Sequence, residues 1–95
     1  MVKLTDVYRR SGESAFRVID DEAIVVAPSE GIARVLNTTA ARIWQMLDGT
    51  RSLSGIIEQI AAEFEAPDQE IEADVLELIR HLKQNRMVES VDERL

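Results

Sequence analysis

The residues best suited to chemistry lie on one stripe of a predicted helix. Glu70, Asp74, Glu77, His81 and Gln84 fall at i, i+4, i+7, i+11 and i+14, so one face gathers three carboxylates around the only histidine. Carboxylates beside an imidazole are the residue types of a metal site or a proton relay. The same spacing also describes a solvated charged face. A second group, Asp20-Asp21-Glu22, could take a divalent cation, but no EF-hand spacing surrounds it and a solvated turn accounts for it. The serines of "GESAF" and "PSEG" are not nucleophile elbows, and the four glycines form neither GxGxxG nor GxxxxGK[ST]. With no Cys, thiolate nucleophiles, disulfides and Cys-based metal sites are excluded. The expectation is a chain with no catalytic residues, no metal and no cofactor of its own.

The elements that would position these residues follow from periodicity. "AFRVID" alternates, "AIVVA" is a β-branched run, and "IARVL" is a third strand after the Pro28–Gly31 turn. Three short strands joined by tight turns predict an antiparallel meander. After Asn37 the period becomes helical. Asn37 or Thr38 caps a first helix with Ile43, Trp44 and Leu47 inward, and Gly49 stops it. Ser52 caps a second helix carrying Leu53, Ile56, Ile57, Ile60, Ala61 and Phe64 on one face. An acyl-carrier attachment site would need Asp where Arg51 stands, so Ser52 is assigned a capping role. Pro67 and Asp68 open a third helix with Ile71, Val75, Leu78 and Leu82 inward. "MVESVDERL" is a short extra strand or a frayed tail. The predicted fold is a small α+β domain, a three-stranded meander followed by three helices, resembling a winged helix-turn-helix. Residues 1–14 are assigned to a lead-in, 15–90 to the domain and 91–95 to a tail.

Ninety-five residues suffice for one core, and 45% hydrophobic with 31% charged residues suits a folded domain. The net charge of −7 opposes nucleic acid and anionic membranes. No apolar run reaches membrane-spanning length, no signal peptide is evident, and the lack of Cys fits a reducing cytoplasm.

The third helix has more apolar width than a core seam needs, because Ile79 and Leu76 extend towards one flank, followed by Lys83. Leu76 and Ile79 either contact the first helix or the sheet, or wall a groove. The third strand, Ile32 to Leu36, is an edge of the meander, and an edge offers unpaired backbone groups to an extended peptide.

The stretch "APSEGIARVLNTTAARIWQMLDGTRSLSGII" resembles the PqqD family, through Gly31, Leu36-Asn37, Thr39-Ala40, Ile43-Trp44 and Leu47-Asp48-Gly49 in order. "EADVLELIRHLKQNRMVE" is similar to the family's ending, and the likeness spans roughly residues 15–90. Ser54-Gly55 and an aromatic-free third strand depart from the pattern. The resemblance implies a non-catalytic peptide chaperone, or RiPP precursor recognition element, that binds the leader of a ribosomally made precursor. It would present that leader to a modifying enzyme, often of the radical SAM class. The leader would pair with Ile32, Ala33, Arg34, Val35 and Leu36 and pack against Leu76, Ile79, Leu82 and Lys83. Two alternatives stay open: a winged-helix DNA-binding regulator, which the acidic charge opposes, and a protein adaptor using the same edge. Monomer and homodimer are both compatible with the sequence.

Overall fold

The computed structural model describes residues 2–20 and 22–91. Asp21 of the acidic triplet and residues 92–95 of the expected tail lie outside them. In chain order the elements are β1 (Val7–Arg10), β2 (Ala15–Ile19), β3 (Glu22–Ala27), β4 (Ile32–Leu36), α1 (Thr38–Met46), β5 (Asp48–Ser52), α2 (Leu53–Phe64), α3 (Asp68–Gln84) and β6 (Val88–Ser90). This is a small α+β domain in which six strands form two antiparallel sheets, ordered β2-β3-β4 and β5-β1-β6.

The first sheet is the expected meander. Alternation along β3 turns Ala23, Val25 and Ala27 into the core, while Ile24 and Val26 are only half-buried. Phe16 stands opposite Val25 and stacks on Trp44 of α1, with ring centroids 6.4 Å apart. Between β3 and β4, Pro28–Glu30 makes a single 3-10 turn. Gly31 closes it with φ 66°, a conformation that favours glycine, and donates its N–H to the Pro28 carbonyl at 3.1 Å.

The second sheet departs from the sequence expectation. Residues 7–10, expected in an unpatterned lead-in, form its central strand, and residues 48–52, expected as a helix stop and connector, form its edge. "VYRR" buries only Tyr8, so no alternation announces β1; pairing on both sides defines it. The polar "DGTRS" has little strand propensity, and pairing with β1 overrides it. Gly49, at φ 85°, does not end α1, which stops at Met46. It lies where the β1–β5 register slips between Val7↔Ser52 and Arg9↔Asp48. "MVES" does contribute a strand, β6.

Arg10 joins this sheet to the helices. Its Nη1 donates to the carbonyls of Trp44 and Gln45 at 2.9 and 2.8 Å, satisfying the C-terminal end of α1. Asn37 caps α1 by accepting from the Ala40 N–H at 2.8 Å, and Ser52 caps α2 by accepting from the Gly55 N–H at 3.2 Å. Ile43, Leu47, Leu53, Ile56, Ile60 and Val75 are entirely buried where the three helices meet the sheets. Phe64, at the last turn of α2, leaves the core and is 36% exposed.

Candidate functional site

β4 pairs with β3 on one side and, among the described residues, with no strand on the other. Its side chains alternate. Ala33 and Val35 face outward, Val35 with 59% exposure, while Ile32, Arg34 and Leu36 face inward. Arg34 stands opposite Val25 in the ladder, so a long cationic side chain starts from the apolar face of the sheet.

Its guanidinium reaches α3. Nη2 and Nη1 of Arg34 donate to the two carboxylate oxygens of Glu77 at 3.0 and 3.3 Å, a bidentate pair spanning the space between strand edge and helix. The Arg34 side chain is 25% exposed and that of Glu77 63%. Arg34 holds the Glu77 carboxyl below the usual carboxylate range, and His81 one turn on adds to this. A second, looser contact joins Arg86, beyond α3, to Glu30 in the turn before β4, at 4.0 Å. The helix wall facing β4 is therefore the flank of Asp74, Glu77 and His81.

This wall differs from the one expected. Adjacent helical residues are separated by about 100°, which puts Leu76 and Lys83 on the far side of the buried stripe from Glu77. Lys83 Nζ lies 5.9 Å from the centroid of the Tyr8 ring in the second sheet. It also lines a cavity of about 450 Å³ with Val2, Arg80 and Gln84. Leu76, half-buried, lines another with Gln69, Glu72, Ala73 and Arg80. Ile79 and Leu82 have no exposed surface and belong to the core. Of the nine expected docking residues, the five of β4 come together along one edge, and the four of α3 do not join them. An isolated Arg in an apolar strand and an acidic flank on the third helix are the sequence signals for the wall found.

His81 takes part in no carboxylate cluster suited to a metal, and among the described residues no three His, Asp or Glu side chains gather around one point. Its Nδ1 is buried with no hydrogen-bond partner among the described residues, and its backbone carbonyl accepts from the Asn85 side chain at 2.9 Å. Beyond the end of β4, Leu36, Ala23, Thr38, Arg42 and Phe64 help line a surface cavity of about 310 Å³.

The family model described as Coenzyme PQQ synthesis protein D (PqqD) matches residues 22–88. A "PqqA binding protein" of Xanthomonas oryzae pv. oryzae is 41% identical over 68 residues, 72% of either chain. In fold the chain is similar to the PqqD truncation of Methylobacterium extorquens PqqCD, described as a functional, stand-alone RiPP recognition element. The TM-score is 0.78 at 24% identity, covering 94% of this chain and 95% of that one. It is also similar to a lasso peptide synthetase B1 solved with its leader peptide, with TM-score 0.73 and 27% identity over 86% of this chain and 96% of that one.

Proposed function

Because the chain belongs to the PqqD family, we propose that it is a non-catalytic recognition module that binds the leader of a ribosomally made precursor peptide and presents it to a modifying enzyme. The observation that carries this is the edge of β4, unpaired among the described residues, with Arg34 and Glu77 meeting between it and α3. A peptide extended along β4 would satisfy the outward backbone groups of residues 32–36, and its alternate side chains would point towards Asp74, Glu77 and His81. Ile79 and Leu82 serve as the rigid backing of that wall, and Leu76 and Lys83 lie outside the contact. The curated relative's name makes PqqA, or a peptide like it, the natural first ligand.

The elements that dock the peptide lie within residues 15–90, a winged helix-turn-helix-like arrangement in which α2, α3 and the meander are turned from nucleic acid to peptide, with β1 completing the second sheet from outside that span. The net charge of −7 supports that change of use. The partner enzyme is one that modifies peptides, with the radical SAM class the leading candidate. Both would work in the cytoplasm, where the precursor is translated.

The test is a titration of the ¹⁵N-labelled chain with the Xanthomonas PqqA peptide. Amide shifts concentrated in residues 32–36 and around Asp74, Glu77 and His81 are expected. Shifts confined to β2, the other edge of the same sheet, would move the site. No saturable binding would overturn the assignment to PqqA-like leaders.

A further inference from the structure

We propose that Arg34 is the receptor for a carboxylate side chain on the docked peptide, and that Glu77 fills that receptor in the free chain. This rests on the peptide-binding function above and adds the chemistry that the edge selects. Arg34 projects from the inward face of the edge strand, so an incoming strand places one of its own inward side chains directly or diagonally beside it. Opposite charges in that cross-strand position attract and like charges repel, which favours Asp or Glu over Lys or Arg on the peptide.

The two partners differ in how readily they can leave the pair. Arg34 starts beside Val25 on the sheet's apolar face and retains only 25% of its side-chain exposure, whereas Glu77 sits on an open helix face at 63%. Glu77 can swing into water at little cost, because it is already largely hydrated and is one of three acids on its flank with Glu70 and Asp74. The Arg34 guanidinium would be more deeply covered by a docked strand and would need a carboxylate to remain satisfied. A planar fork accepts that carboxylate in the same bidentate geometry that Glu77 now shows, at 3.0 and 3.3 Å. The free chain thus holds its own acid where the ligand's acid would go, and discriminates against peptides that cannot replace it.

The test is calorimetric titration of the wild type, Glu77→Gln, Arg34→Gln and Arg34→Lys with the Xanthomonas PqqA peptide. The same series is repeated with each Asp and Glu of the peptide changed singly to its amide. Removing the internal competitor is expected to tighten binding about two- to fivefold, the range of a partly exposed ion pair. Arg34→Gln is expected to weaken it about tenfold, with Arg34→Lys in between because charge is kept and the fork is lost. One peptide amide substitution should weaken wild-type binding by a similar factor and have no further effect on Arg34→Gln. Weaker binding by Glu77→Gln together with tighter binding by Arg34→Gln would mean that the wall takes a cation, and overturns the proposal. Additive effects of the Arg34 and peptide substitutions overturn it as well. If the wild type fails to bind, or binds without amide shifts in residues 32–36, the peptide-docking function itself fails, which is a separate result.

Discussion

Ile79→Ala distinguishes a core residue from a groove wall on the same helix. Ile79 has 0% exposure and lies among the fully buried residues of α3. Truncating a wholly buried Ile to Ala removes its apolar burial and leaves a void, together about 2–5 kcal/mol. A domain of this size has roughly 5–14 kcal/mol of total stability, so the variant stays mostly folded but weakened. With a urea dependence of about 1–1.5 kcal/mol per molar, the unfolding midpoint should fall by about 1.3–5 M. Leu76→Ala, three residues earlier and half-buried, should lower it by less than about 1 M, since less area leaves water there on folding. The assay is urea unfolding followed by far-UV circular dichroism, with peptide affinity measured on the same samples below their transitions. Affinity should be unchanged in both once corrected for the folded fraction. A midpoint shift under about 0.5 M for Ile79→Ala, with a clear loss of affinity, would show that Ile79 faces the ligand and refute the burial argument.

Further outcomes follow from other contacts. Arg10→Met should destabilise the domain by about 2 kcal/mol in urea unfolding, because the last carbonyls of α1 lose two charge-assisted donors. Tyr8, the only tyrosine, is pushed up to about 12 by burial, with its hydrogen bond to Asp6 and that carboxylate's charge adding to the shift. Its folded pKa lies above the unfolded value of 10.0, so its contribution to stability is intact below pH 10 and is lost as pH rises towards about 12; phenolate absorbance in folded and urea-unfolded samples checks this. Hydrogen bonds from Arg42 and then Gln59 lower the Glu63 carboxyl from 4.5 to about 2, so what it adds to stability is present above pH 4.5 and is lost on acidification towards pH 2. The ¹³C titration of that carboxyl should move up towards the ordinary carboxylate range in Arg42→Ala. Gly49→Ala should destabilise by about 1–2 kcal/mol, since φ 85° is strained for an L side chain and the new Cβ would lie 3.4 Å from Arg9 Cβ.

The meander, the three helices and most of the core were legible because each carries its own period. "AIVVA" and "IARVL" show strand runs between turn residues, and the spacing from Leu53 to Ala61 fixes the buried face of α2. The second sheet was not legible, because its strands are defined by partners distant in sequence. "VYRR" and "DGTRS" have no pattern that survives without each other. The edge of the candidate site followed from strand order alone. Its helix wall did not, because periodicity tells which residues of α3 are apolar but not on which side of that stripe the sheet lies. Arg34–Glu77 settles the side, and it pairs residues 43 positions apart.

The strand order β5-β1-β6 also sets the order of assembly. The meander closes through neighbours in sequence, so residues 15–36 can pair as soon as they are made. The other sheet joins residues 7–10 to residues 48–52 and 88–90, so it is completed only after far more of the sequence has been made than the meander needs. During synthesis the open edge of β4 therefore exists before the layer that steadies the rest of the domain. Val35 and the hairpin residues Val18 and Ile19, all more than half exposed even in the finished fold, are apolar strand surface available to other nascent chains in that interval. The same open edge at which peptide docking is proposed makes β4 the segment most in need of an early partner, and co-production with the precursor should raise the soluble yield.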